Sequence, residues 1–89
     1  MSKNQQYAEQ YAEFAMEQMR RYGIPASVTL AQGILESSNG QSRLAQNENN
    51  HFGIKATPAW IAEGGRYGIY DDDKPNEKFC SYDSVGDSY

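Results

Sequence analysis

A chain of 89 residues has room for one small domain with a thin core. Eight basic residues against twelve acidic ones give a net charge of −4, which argues against nucleic-acid binding. The lone Cys80 excludes an internal disulfide framework and supplies no metal cluster, and no apolar run is long enough for a membrane span or for the hydrophobic part of a signal peptide.

Residues 1–6 (MSKNQQ) are polar and expected to fray. A first helix is expected from about Gln6 to Tyr22. Ala8, Ala12, Ala15, Met19 and Tyr22 step 4-3-4-3 and define its buried stripe, with Tyr7, Tyr11 and Phe14 widening it. At helical spacing these rings read as core rather than as a ligand-stacking surface. Glu9, Glu13 and Glu17 form a mildly self-repelling ridge, offset in part by the favourable Glu17–Arg21 pair. Gly23 ends the helix, and Ile24-Pro25 turns the chain into the next.

Pro25 suits the first position of a second helix. Val28, Ala31, Ile34 and Leu35 fall on one face, with Leu30 beside them. Ser37 to Gly40 are stop signals, and Gly40 suits a left-handed helix end. Glu36 therefore lies in the last turn. A carboxyl beside apolar residues and a helix C-terminus is expected to be pushed towards its protonated form, as a general acid requires. By spacing alone the plainer reading of Glu36 is a solvated helix-end residue.

The segment GQSRLAQN reads as a short helix anchored by Leu44 and Ala45. Asn47 to Asn50 form a turn cluster. Phe52-Gly53-Ile54 returns an apolar pair to the core, with the glycine allowing a tight path. Ser37 and Ser38 lack the strand-to-helix context of a nucleophile elbow. Residues 56–65 read as a loop around Trp60, whose indole packs on the core or lines a groove. Arg66 to Tyr70 and Lys78 to Tyr82 are expected to form a β-hairpin across the turn-rich DDDKPNE, with Tyr67 and Tyr70 on opposite strand faces. Asp71, Asp72 and Asp73 read first as a solvated turn and lack the alternation of a calcium loop. Ser84 to Asp87 fits a helix-starting cap.

The run AQGILESSNGQS followed by NNHFGIK resembles the catalytic segment of the bacterial N-acetylglucosaminidases of glycoside hydrolase family 73, the peptidoglycan-cutting domains of autolysins and flagellar muramidase-like proteins. The matching residues are Ala31, Gln32, Leu35, Glu36, Ser37, Gly40 and Ser42, then Asn50, Phe52, Gly53, Ile54 and Lys55. Each half alone is loose; both in order at this separation are specific. The likeness runs over the whole chain. It implies an α+β, lysozyme-like fold, mainly helical with a small β-hairpin lobe, and residues 1–89 as one partial glucosaminidase domain truncated at its C-terminus.

The resemblance implies an endo-β-N-acetylglucosaminidase with Glu36 as general acid and no cofactor or metal. A second acidic group, base or stabiliser, falls on Asp71 or Asp72, where the family usually has glutamate. The substrate's own acetamido oxygen is the alternative nucleophile. Gln32, Asn50, Phe52, Trp60, Tyr67 and Tyr70 are the candidate substrate-binding residues; for Asn50 a turn with its own backbone is an equal alternative. His51 falls at a position that varies in the family and reads as a surface residue. The implied partner is the peptidoglycan glycan strand outside the cytoplasm, reached after loss of a leader, as part of a larger exported protein, or by a phage or lysis route. The hairpin and the Ile34/Leu35 face are expected to lack part of their cover and to stand open to another copy or another chain. A non-catalytic wall-binding fragment and a lytic transglycosylase remain the alternative readings.

Overall fold

Ser2 starts the first helix. In a computed structural model describing all residues Met1–Tyr89, the Gln5 amide donates to Ser2 Oγ at 3.1 Å and the Ser2 amide donates to Gln5 Oε1 at 3.0 Å. This reciprocal cap extends α1 over Lys3–Tyr22, so the polar N-terminus is helix rather than frayed chain. Gly23, at φ 74°, closes the helix, and Arg20 and Arg21 complement its negative end. Arg20 bonds Glu17 at 2.9 Å and approaches Glu13 at 3.8 Å, in place of the expected Glu17–Arg21 pair.

The buried stripe of α1 is also shifted. Tyr7 and Ala15 are buried, Ala8, Tyr11 and Ala12 are half-buried, and Met19 and Tyr22 are exposed. Of the rings expected to widen the stripe, Tyr7 is buried at its centre beside Ala15, Tyr11 is half-buried and Phe14 is exposed.

That choice dictates how α2 (Ala26–Ser37) packs. Its buried residues are Thr29, Gly33 and Ser37, one per turn. A Cβ at Gly33 would stand 2.6 Å from Tyr7 Oη and 3.0 Å from Tyr89 Oη, so only a glycine admits the rings there. The apolar face points outward: Val28 and Ala31 are exposed, Leu35 is 77% exposed, and only Leu30 and Ile34 are half-buried. Large rings from α1 require small residues opposite. Pro25 sits one place before the helix, and the helix stops at Ser38 (φ 51°), with Asn39 and Gly40 continuing the left-handed path.

α3 (Arg43–Glu48) is capped by Ser42, whose Oγ accepts from the Ala45 amide at 3.1 Å, and buries Ala45. Residues 58–62, expected within a loop, form the short helix α4 (Pro58–Ala62). Thr57 caps it and Pro58 occupies its first turn. β1 (Tyr67–Tyr70) and β2 (Glu77–Cys80) pair antiparallel, Tyr67 opposite Cys80 and Tyr70 opposite Glu77. The hairpin is thus as expected in kind, with β2 beginning one residue earlier and ending at Cys80. The Ile54–Ala56 segment runs along the other edge of β2: the Cys80 amide donates to Ile54 O and the Ala56 amide to Lys78 O, both at 2.9 Å. The short α5 (Val85–Ser88) is capped by Ser84.

Twelve of the 89 residues are buried, which makes the core thin. One part is the aromatic cluster of Tyr7, Tyr11, His51, Phe52 and Tyr89. The other lies around Ala45, Phe79 and Cys80. Leu35 on α2 and Ile69 on β1 remain exposed. No helix is long and apolar enough to cross a membrane.

Candidate active site

Glu36 occupies the last turn of α2, exposed beside the exposed Leu35. The apolar surround expected at this helix end is therefore not there, because α2 turned its small face inward. No basic side chain pairs with it. Its neighbour is the 50–55 loop: Gly53 adopts φ 64°, and a Cβ there would lie 3.5 Å from Glu36 Oε2. The side of Gly53 that carries no side chain thus faces the carboxylate, and the 50–55 loop in turn pairs with β2.

That loop is held by side chains. Asn50 is 1% exposed. Its Oδ1 accepts from the Phe52 amide at 3.3 Å and the Ile54 amide at 3.1 Å, and its Nδ2 donates to Ile54 O and Cys80 O, both at 2.9 Å. These four bonds use both donors and both lone pairs of its amide, the arrangement of the turn alternative. His51 is 2% exposed, not a surface residue. Its Nδ1 shares a 2.7 Å hydrogen bond with Tyr7 Oη, which also meets Tyr89 Oη at 2.6 Å. Burial holds the imidazole below its ordinary range and pushes the Tyr7 and Tyr89 phenols up.

Asp71 and Asp72 lie in the exposed hairpin turn. Asp71 Oδ1 accepts from the Asn76 amide at 2.8 Å, and the Asp72 amide donates to Lys74 O at 3.0 Å. Both shape the turn. The sequence reading passed over Glu77, which ties the hairpin to the loop: its Oε2 is 2.8 Å from Lys55 Nζ. A hydrogen bond from Lys55 holds Glu77 below the usual carboxylate range, and Glu77 raises Lys55 in turn. Lys55 stood in the quoted motif; its partner is distant in sequence and carries no local signal.

Most of the remaining candidates divide among three spaces on the surface. Gln32 and Phe52 line one cavity of about 200 Å³ with Ile24, Thr29 and Tyr89. Tyr67 lines a groove of about 790 Å³ with Asn47, Glu48, Arg66 and Tyr82, and its ring carries the Lys78 ammonium at 5.2 Å. Trp60 lines an adjoining space of about 420 Å³. Its indole N–H donates to Arg66 O at 2.8 Å and its ring packs on Tyr82 at 5.6 Å. Tyr70 faces α3 and bonds Glu48 through its hydroxyl. None of these three spaces is lined by Glu36. No three His, Cys, Asp or Glu side chains are grouped to hold a metal ion.

A family model described as glucosaminidase, mannosyl-glycoprotein endo-β-N-acetylglucosaminidase, matches residues 12–89. No curated protein is similar enough in sequence to count as a match. Among solved structures, the catalytic domain of the autolysin Auto from Listeria monocytogenes matches with a TM-score of 0.77 at 30% identity, covering 99% of this chain and 52% of that one. The chain thus spans about half the length of that relative, over a mainly helical fold with one small antiparallel hairpin. With the family model covering all but its first eleven residues, the chain belongs to the glucosaminidase family.

Proposed function

We propose that this chain belongs to a peptidoglycan hydrolase of the endo-β-N-acetylglucosaminidase type, acting outside the cytoplasm, and that residues 1–89 are its acid-bearing part. The observation that carries this reading is the placement of Glu36: an unpaired carboxylate at the end of α2, facing the open side of Gly53 in the second motif half. Glu36 protonates the leaving glycosidic oxygen as the bond to N-acetylglucosamine breaks through an oxocarbenium-like transition state. Asp71 or Asp72 serves as the second acidic group, or the substrate's acetamido oxygen takes the nucleophile's part and an aspartate stabilises it. Both aspartates are on the hairpin, and their exposure leaves them free to meet a glycan.

Tyr67, Phe52 and Gln32 are the candidates left with surface to give a sugar; Asn50 and Tyr70 have their polar atoms engaged. Exposed Leu35 and Ile69 offer surface for another copy or another chain to cover. One observation favours the second reading, a non-catalytic wall-binding protein: Glu36 stands outside the three spaces that hold the aromatic candidates.

Reducing-end analysis of digested peptidoglycan separates the readings. New N-acetylglucosamine reducing ends support the hydrolase, and anhydromuramic ends replace it with a transglycosylase. Binding without release replaces it with a wall-binding protein. Cleavage by Glu36→Gln equal to that of the parent removes Glu36 from the acid's role.

A further inference from the structure

Nothing on α2 fixes the orientation of Glu36. Its flanking residue Leu35 is in solvent, and no basic side chain reaches the carboxylate. A free glutamate at a helix end samples several rotamers. A general acid must present its proton within hydrogen-bond reach of one oxygen.

Two adjacent buried side chains place that loop, each tied to a different part of the molecule. Asn50 closes the loop on itself through Phe52 and Ile54 and reaches β2 through Cys80 O. His51 reaches α1 through Tyr7 Oη, with its ring 5.0 Å from that of Tyr11, and its amide donates to Ser88 Oγ at 3.5 Å. Gly53 follows two residues later at φ 64°, with its open side against Glu36 Oε2. The hairpin and α1 therefore both determine where that backbone lies.

We propose that Asn50 and His51 are positioning residues for Glu36: they hold the Gly53 backbone as a wall on one side of the carboxyl, so that the acid faces its substrate in one orientation. This rests on Glu36 being the acid of the proposed function. Asn50→Ala removes four bonds at once, and His51→Phe keeps the ring and loses the Tyr7 bond. His51→Gln retains a polar partner for Tyr7.

The test follows Glu36 itself by ¹³C NMR of its labelled carboxyl at one fixed pH, beside kcat and KM on soluble peptidoglycan fragments. Ala15→Gly, in the buried middle of α1, is the control for general destabilisation. Asn50→Ala is expected to shift or broaden the Glu36 carboxyl signal, and to lower kcat about tenfold or more with KM within about twofold. His51→Gln is expected to recover more of both than His51→Phe. The proposal is overturned if the Glu36 carboxyl signal in Asn50→Ala and in His51→Phe matches that in the Ala15→Gly control. Should Asn50→Ala not fold, the two His51 variants decide by the same comparison. A Glu36→Gln variant that still cleaves, beside an Asn50→Ala variant that still moves the Glu36 signal, rejects the acid assignment and leaves the positioning intact.

Discussion

The hydroxyls of Tyr7 and Tyr89 meet at 2.6 Å, across 82 positions of sequence, and the same Tyr7 oxygen bonds His51 at 2.7 Å. One phenol in the second turn of α1 thus joins the end of the chain to the loop beside Glu36. Tyr7→Phe keeps the ring and removes the partner of the buried His51 Nδ1 and of the half-buried Tyr89 hydroxyl. It is expected to lower unfolding stability by about 1–3 kcal/mol, the usual penalty for a buried polar group left unpaired. Urea unfolding of the two proteins measures this. Equal midpoints would mean that the phenol contributes nothing beyond its ring.

His51 makes stability depend on pH. Burial disfavours its protonated form, so the folded-state pKa lies below the ordinary value of 6.5. Above pH 6.5 the ring is neutral in both states and no penalty applies. As pH falls from 6.5 through the folded-state pKa, the unfolded chain binds the proton first and stability declines, by at most about 1.4 kcal/mol per pH unit. Below the folded-state pKa this contribution is flat. Carboxylates titrate in part of the same window, so the difference curve between parent and His51→Gln isolates the term. A difference independent of pH between 7 and 4 would contradict it.

Gly33→Ala sets two effects against each other. Alanine favours a helix over glycine by roughly 1 kcal/mol. Its methyl would stand 2.6 Å from Tyr7 Oη and 3.0 Å from Tyr89 Oη, and overpacking a close contact costs about 1–3 kcal/mol. The buried rings have little freedom to yield, so net destabilisation is expected. A raised thermal midpoint would show that α1 and α2 are not packed as described.

Glu36→Gln separates stability from chemistry. The side chain is exposed and unpaired, so unfolding stability is expected to stay within about 0.5 kcal/mol of the parent. Loss of a general acid lowers turnover by roughly 10²–10⁴-fold. Calorimetry alongside release of reducing ends checks both halves. A large fall in stability would assign Glu36 a structural role.

Local chemistry was legible from the residues alone. Gly23 ends α1 and Ser84 begins α5 because the caps act on backbone within three or four residues. The position of Glu36 at the end of α2 follows from the stop signals beside it, and the hairpin from its turn-rich connection. Some local signals were passed over, as with the Ser2–Gln5 cap and the Thr57-Pro58 helix start. What only the tertiary structure decided is which side of each element faces inward. Hydrophobic periodicity marked Val28, Ala31, Ile34 and Leu35 as one face, yet Gly33 is the residue packed inside, because the neighbour across it is Tyr7 and a ring needs a gap. The burial of His51, the saturation of Asn50 and the Lys55–Glu77 tie depend on partners 44, 30 and 22 positions away along the chain. Pairings at that range are set by how the elements dock, and no window of neighbouring residues contains both members.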